Sequence, residues 1–552
     1  MDSSSPNWHS RTESPMVVQD PDSMQWDDTT QVLVIGLGGA GISAALESLE
    51  CGVRVTAIDR FDGGGATAIS GGVYYGGGTS HQREAGYQDT AEEMFNYLTL
   101  EVQDAVSDET LHDFCSSSSE TLEWLEKHGV KFSSSLCPGK TSYPSDKYFL
   151  YYSGNEQQPN YSKYAKPAPR GHRCVGKGLS GANFYKPLKE AAFAKGLKLY
   201  GYSEARRLIL DGTGEIIGVE FIQLTDSPAA QKELATINKK FASMLTLLSP
   251  KRAARLMSAA DLIVEEYGKR SVIRVDKAVI LCAGGFSHNR EMVAHYAPKY
   301  IEADPLGAIG CNGSGIRLGQ SVGGAVDRMG NISAWLNINP PAARVKGIII
   351  NGQGERVVAE DCYGAKIGQH VVEDNDGTAF IILDRTLYFE ALWQSFPRPG
   401  NNFRTQGAPA LLSLLFGATV AGTIEGLASK LGMPVDRLRD SIEHHNAVVE
   451  GKQDPIFPKQ DEYLRVISKP WFYALNISIR SKTSYFPTIS LGGLAIHEKT
   501  GQVLNVDGDT IPKLYAAGRN AIGVASNLYV SGLSIADCVF SGRRAGRICS
   551  GD

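Results

Sequence analysis

Gly36, Gly38 and Gly41 stand at the spacing of G-x-G-x-x-G, and Asp59 follows 18 residues after the last of them. Glycines so placed allow a tight turn, admit a pyrophosphate against bare main chain, and let a helix pack close to a strand. An acid at that distance reaches ribose hydroxyls. The chemistry is dinucleotide binding, and with it hydride transfer. Directly after Asp59 runs Arg60-Phe61-Asp62-Gly63-Gly64-Gly65-Ala66-Thr67-Ala68-Ile69-Ser70-Gly71-Gly72. A glycine- and hydroxyl-rich loop here suits backbone wrapped around a long, buried flavin nucleotide, with Thr67 and Ser70 as hydrogen-bonding partners. The expected cofactor is FAD.

Other chemistries are excluded by composition. The nine cysteines (51, 115, 137, 174, 282, 311, 362, 538 and 549) lie scattered, and no two form C-x-x-C. That leaves no clustered zinc or iron–sulfur set and no disulfide scaffold, so no metal is expected. With 55 Lys+Arg against 60 Asp+Glu, the net charge of −5 offers no overall footprint for nucleic acid or an anionic membrane. Residues 1–28 are polar and acidic without an apolar core, and read as a disordered tail rather than a signal peptide. The longest uncharged run, Thr405 to Ile424, is expected as a buried or interface helix, not a membrane span. The expectation is a cytoplasmic protein with no integral membrane span and no nucleic-acid partner.

Around the glycines the elements are those the fingerprint needs. Gln31 to Ile35 is a β-branched strand, ISAALESLECG is helix-patterned, and VRVTAID is a second strand ending at Asp59. Residues 197–221 read as two strands around an Asp-Gly turn. Residues 275–286 form a strand ending in Ala283-Gly284-Gly285, and 511–520 another ending at Gly518. The fold class is therefore α/β with a discontinuous nucleotide domain: 29–300 carries it, 301–483 is an inserted catalytic or substrate domain, and 484–552 returns to it. Within the first part, 226–270 holds two amphipathic helices broken at Pro250, expected to pack back on their own domain, with an oligomer contact or a membrane surface as the alternatives. Pro434 starts a further helix.

Between about 30 and 548, the motifs VIGLGGAG, GGGATAISGG, LCAGGF, NGSGIRLGQSVGG, NGQGERVVAED, SLGGLAIHEKTGQVLN and IPKLYAAGRN resemble the FAD-dependent fumarate reductase/3-ketosteroid dehydrogenase superfamily. The resemblance implies a Rossmann-like FAD domain with an inserted α+β domain. It also implies FAD contacts from Gly36, Gly38, Gly41, Asp59, Arg60, Thr67, Ser70, Gly71, Gly72, Ala205, Ala283, Gly284 and Gly518. Ser534 and Ile535 join them at the start of the last helix, whose positive end favours a reduced flavin's negative charge.

At the three positions where fumarate reductases of this superfamily clamp a dicarboxylate with cations, this chain has Tyr363, a histidine-free YFPTISLGGL and an arginine-free SNLYVSGLSIAD. A dicarboxylate would sit there with its charges unpaired, at a cost of several kcal/mol. Tyr529-Val530-Ser531-Gly532 is instead similar to the Y-x-S-G of 3-ketosteroid dehydrogenases, especially the Δ4-(5α) type; YYSGNE (151–156) and PAPRGHR (167–173) resemble the same branch.

The implied reaction desaturates ring A of a 3-keto steroid or related triterpenoid. Tyr529 would be the base, Ser531 its relay, Tyr363 a second supporting tyrosine with Tyr388 in reserve, and the Gly532 N–H a donor to the ketone. His172 and Arg173 either serve the site or lie in a surface loop. Without a second nucleotide fingerprint, electrons are expected to leave to a quinone-like acceptor or oxygen. Three matters stay open at this point: Δ1 against Δ4-(5α) regiochemistry, a flavin ene-reductase or desaturase acting on a non-steroid enone, and a flavin-bearing binding or redox-sensing protein without turnover.

Overall fold

Val32, Leu33, Val34 and Ile35 are buried without a polar partner face, the pattern of a central parallel strand. The computed structural model, which describes residues 11–243, 249–397 and 403–551, places them at the centre of a nine-stranded sheet. Strand Asp28–Ile35 lies between Lys269–Leu281 and Val55–Ile58, parallel to both, and Lys198–Tyr200 pairs parallel beyond the latter. Strand Thr510–Ala516 adds to the C-terminal end of Lys269–Leu281, also in parallel. The C-terminal ends carrying Gly36, Ala283 and Gly518 therefore gather at one edge, where ligands of open α/β sheets bind.

The first helix, Gly39–Glu50, and the last, Leu533–Ser550, are packed against each other almost backbone to backbone. A Cβ on Gly542 would lie 2.4 Å from the Ala40 carbonyl oxygen, and one on Gly546 2.4 Å from that of Ala44. Glu47 seals the contact by pairing with Arg543 at 2.8 Å and Arg547 at 2.7 Å. This close approach carries the segment 529–535, some five hundred residues away in sequence, to the glycine-rich turn. Gly41 is equally constrained, since a Cβ there would lie 2.0 Å from the Gly36 carbonyl oxygen. Gly41→Ala is expected to destabilise the protein by about 3 kcal/mol. A chemical-denaturation midpoint indistinguishable from wild type would refute this.

The helices of the insertion span Pro228–Phe241 and Pro250–Tyr267. As expected, they pack back: Leu234, Ile237, Phe241, Ile263 and Val264 form a core with Phe61, Leu224 and Ile309. Three expectations are corrected. The stretch 11–28 is not a loose tail, for Met16–Val18 pairs in parallel with Ser203–Asp211, whose edge was otherwise open; residues 1–10 lie outside the described residues. The run 405–424 is not one helix. It makes helix Ala408–Phe416 and then, after Gly417, strand Ala418–Ala421. His172 and Arg173 lie in no surface loop, being fully buried in strand Gly171–Arg173. The His172 ring lies 2.8 Å from the Thr79 hydroxyl, and burial lowers its pKa to about 4.

Beyond residue 300 a four-stranded antiparallel sheet runs in the order Ile348–Ile350, Phe380–Asp384, Phe472–Asn476 and Ala418–Ala421. Strand Pro487–Ser490 joins Asp304–Pro305 and Ile332–Ala334, tying this region to the segment that returns to the main sheet. Among the described residues, no helix is long and apolar enough to cross a membrane.

Candidate active site

Gly36 has φ +90°, and a Cβ on it would lie 2.7 Å from Ala283 Cα, so the turn and the strand end at Ala283 meet as bare backbone. Gly38 N-caps the first helix without a side-chain cap, and a Cβ there would meet nothing nearer than 4.0 Å. The open space above a helix start is the anion cradle that a pyrophosphate fits. Gly284 and Gly518, at φ +80° and +61°, supply the two neighbouring turns. Ala205 is buried in its strand, and Ser534 and Ile535 lie in the first turn of the last helix. Asn520 is fully buried, yet neither its amide nitrogen nor its oxygen has a partner. An unpaired buried amide costs about 1–3 kcal/mol, which a polar ligand at this edge would recover. These residues fit a dinucleotide.

Several of the expected contacts are engaged within the loop itself. The Asp59 carboxylate accepts from the N–H groups of Leu37 (2.7 Å), Phe61 (2.9 Å) and Gly63 (3.2 Å), bracing the fingerprint turn. Burial raises its pKa, and those three donors oppose the rise. With about four acceptor positions on a carboxylate, one remains for a ribose hydroxyl. Thr67 Oγ1 accepts from Gly39 N–H at 3.1 Å, and Ser70 Oγ donates to the Thr67 carbonyl at 2.8 Å. Gly71 and Gly72 accommodate Tyr143 and Ser180, where side chains would collide. Arg60 pairs with Asp261 of the helical insertion.

A group of phenols gathers where the last helix begins. Gly532, at φ +94°, caps that helix against strand Val73–Tyr75. The rings of Tyr529 and Tyr363 lie with centroids 6.3 Å apart at a tilt of 39°, and Trp335 stacks on Tyr363 at 6.3 Å. The two phenols differ electrostatically. Burial raises the Tyr529 pKa, but Arg519 and the Gly532 N–H oppose it; burial drives Tyr363 far higher, with Tyr529 and Tyr151 adding to the rise. Tyr363 is thus held protonated as a donor, and Tyr529 is the phenol with positive potential beside it.

Ser531 is not simply a relay for Tyr529. Its hydroxyl lies 3.1 Å from Tyr151 OH and also faces Tyr363, while its carbonyl accepts from Ser153 Oγ at 3.0 Å. Tyr151, Ser153 and Asn155, whose Oδ1 accepts from Tyr363 N–H at 2.5 Å, were given no role from sequence. The signal was the YYSGNE stretch, quoted for its resemblance alone. Its last residue, Glu156, is buried and accepts from Tyr75 OH at 3.1 Å. Tyr388 stands apart from this group: its hydroxyl donates to the Leu414 carbonyl and its ring stacks on Tyr473, so its part is structural.

A cavity beside Tyr363 is lined by Ser142, Tyr152, Leu336, Ile338, Asn339 and Tyr463, among others. Lys140, the cation on its wall, donates to the Asp361 carbonyl. Among the described residues, no group of three His, Cys, Asp or Glu side chains is placed to hold a metal. Glu360 and Asp361 also line it, and carboxyl groups beside the phenols of Tyr152, Tyr363 and Tyr463 suit a neutral ring system bearing a carbonyl rather than a dianion.

The chain is similar to known proteins along nearly its whole length. Residues 31–532 match a protein-family model described as an FAD binding domain. The chain is 38% identical over 506 residues to the 3-oxo-5-alpha-steroid 4-dehydrogenase of Comamonas testosteroni, covering 90% of this chain and 94% of that one. The crystal structure of 3-ketosteroid-delta4-(5alpha)-dehydrogenase from Rhodococcus jostii RHA1, in complex with 4-androstene-3,17-dione, superimposes with a TM-score of 0.81 at 29% identity, covering 98% of this chain and 100% of that one. The 3-ketosteroid delta1-dehydrogenase of Sterolibacterium denitrificans shares the fold at 17% identity, with a TM-score of 0.66 over 95% of this chain and 99% of that one.

Proposed function

Because this chain belongs to the FAD binding domain family, we propose that it is a 3-ketosteroid dehydrogenase that desaturates ring A of a saturated 3-keto steroid between carbons 4 and 5. It is an FAD-dependent oxidoreductase acting on CH–CH groups. The observation that carries the proposal is the phenol pair, Tyr529 and Tyr363, with ring centroids 6.3 Å apart where the last helix begins.

In this reading, Tyr363 and the hydroxyls of Ser531 and Tyr151 donate toward the ketone oxygen, acidifying the neighbouring C–H. Tyr529 accepts that proton; burial raises its pKa, and Arg519 and the Gly532 N–H offset part of that rise. Bound FAD supplies the hydride acceptor. Gly36, Gly38, Ala283, Gly284, Gly518 and Asn520 would hold it along the sheet edge, with Ser534 and Ile535 at the helix end nearest the phenols. Electrons then leave to a quinone-like acceptor or oxygen. The described cysteines are all unpaired thiols, which supports a reducing, cytoplasmic setting.

An anaerobic titration of the holoprotein tests this. A saturated 5α-3-ketosteroid is expected to bleach the flavin absorbance, and a 4-ene-3-ketosteroid is not. Bleaching by the 4-ene would move the double bond to carbons 1 and 2. Bleaching by neither, in protein that holds flavin, would overturn the steroid assignment in favour of a non-steroid enone.

A further inference from the structure

We propose that the helical insertion and the N-terminal segment together form the outer wall of the adenosine half of the FAD site, with Asp261 positioning Arg60 there. The inference rests on FAD as the cofactor and not on which ketone is oxidised. The place is set by backbone. The Asp59 carboxylate, bound to three N–H groups of its own turn, keeps one acceptor position for a ribose hydroxyl, so Arg60, the next residue, stands at the adenosine end. Strand Ser203–Asp211 is tied to the same turn: Ser203 N–H donates to the Asp59 carbonyl at 2.9 Å, and Tyr202 N–H to that of Phe61 at 2.8 Å. On that strand Glu204 and Arg206, buried on either side of Ala205, pair at 3.4 Å. Among the described residues, three atoms of this group are sealed from water without a hydrogen-bond partner: Arg60 Nε, Arg206 Nε and Glu204 Oε2. Buried polar atoms are costly to leave unpaired. An adenosine, whose ring nitrogens and ribose oxygens accept and whose amino group donates, is a ligand that would use them.

The insertion closes this patch. Asp261, on helix Pro250–Tyr267, accepts from Arg60, and the carboxylates of Glu204 and Asp261 both act on that guanidinium. Arg60 and Asp261 keep only 12% and 15% of their side-chain surface, so theirs is not a solvated surface bridge of little worth. A guanidinium carries its five N–H donors in one rigid plane. Fixing one edge of Arg60 on Asp261 therefore fixes where Nε points. Apolar packing with Phe61 attaches the two helices, but it does not account for a buried charge pair reaching into the fingerprint turn.

The N-terminal segment completes the wall from outside. Arg11 Nη1 donates to the Asp261 carbonyl at 3.1 Å, and its Nη2 lies 3.6 Å from the Asp261 carboxylate and 3.0 Å from that of Glu265. Arg206 Nη1 donates to the Arg11 carbonyl at 3.3 Å, and Glu13 N–H to the Arg206 carbonyl at 2.8 Å. Thr12 Oγ1 donates to the Ser314 carbonyl at 3.3 Å, where a helix begins whose Gly315 abuts Asn520. Residues 11–13 thus strap the insertion, the strand carrying Ala205 and the Asn520 edge to one another. Within this wall the charges balance, Arg11, Arg60 and Arg206 against Glu204, Asp261 and Glu265.

The test is calorimetric titration of the full-length apoprotein with FAD and, separately, with ADP, which carries the adenosine half without the flavin. Asp261→Asn and Arg60→Gln are each expected to weaken both ligands about tenfold, and Arg11→Gln to weaken them about threefold. Because Asp261 acts through Arg60, the double variant Asp261→Asn/Arg60→Gln should bind no more weakly than Arg60→Gln alone. Affinities within twofold of wild type in Asp261→Asn would overturn the proposal. So would losses that add in the double variant, which would make the part of Asp261 merely structural, or a loss of FAD affinity with ADP affinity retained. Should Asp261→Asn not fold, Arg60→Gln and Arg11→Gln decide: ADP affinity unchanged in both would overturn the proposal equally.

Discussion

Tyr529→Phe is expected to lower kcat for the oxidation of a saturated 3-ketosteroid by 10²–10⁴-fold, the usual worth of a positioned general base. The ring contact with Tyr363 and the burial of the helix start survive the change, so flavin content and steroid affinity should hold within about twofold of wild type. The pH profile is the sharper readout. The Tyr529 pKa lies above the ordinary phenol value because of burial, so wild-type kcat/KM should rise with pH across the neutral and alkaline range as the reactive phenolate grows. That rise should vanish in the variant. Tyr363→Phe removes a donor and should lower kcat while leaving the slope. Steady-state rates from pH 6 to 10 check both. A Tyr529→Phe enzyme that keeps wild-type turnover would assign the base elsewhere.

Glu360→Gln is expected to be the most destabilising conservative change behind the site. The Glu360 carboxylate is fully buried and accepts from Arg356 at 2.7 and 2.9 Å, from Lys459 at 2.8 Å and from Ile349 N–H at 2.8 Å. Burial alone would raise its pKa, but Arg356 and Lys459 outweigh it and bring it down to about 2. Removing one partner of such a cluster leaves buried cations uncompensated, at a cost of about 3–5 kcal/mol. Because the folded pKa lies below the unfolded one, near 4.3, the contribution is complete above about pH 4.3. It is lost as pH falls toward 2, by about 1.4 kcal/mol per unit. The stability gap between wild type and Glu360→Gln in urea should therefore be large at pH 7 and smaller at pH 3. An equal gap at both would show that the carboxylate's charge is not the cause. Since Tyr363 lies three residues on, the variant should also lose turnover.

The nucleotide half of the molecule was legible because it depends on backbone sterics. Gly36, Gly41 and Gly518 occupy positions where a Cβ would strike main chain or a neighbouring helix, and only glycine satisfies them, so their spacing announces the fold. Strand Gln31 to Ile35 and the packed-back insertion were readable from periodicity for the same local reason. What failed is equally specific. The run 405–424 carries no charge, yet Gly417 ends its helix and its outer side faces solvent. Apolar content alone does not say which side is covered. Residues 11–28 look like a tail in composition but find an open strand edge.

At the site, sequence determined that phenols and a serine replace the cations of a dicarboxylate clamp, and hence the class of substrate that fits. Which phenol is poised, and with which neighbours, was decided by tertiary structure. Arg519 and Gly532 approach Tyr529, while Tyr151, brought from 380 residues away, takes the Ser531 hydroxyl. Glycine requirements are set within a few bonds of the residue that meets them. A proton affinity is instead a sum over every charge, dipole and patch of excluded water around the group, gathered from distant parts of the chain only once it has folded.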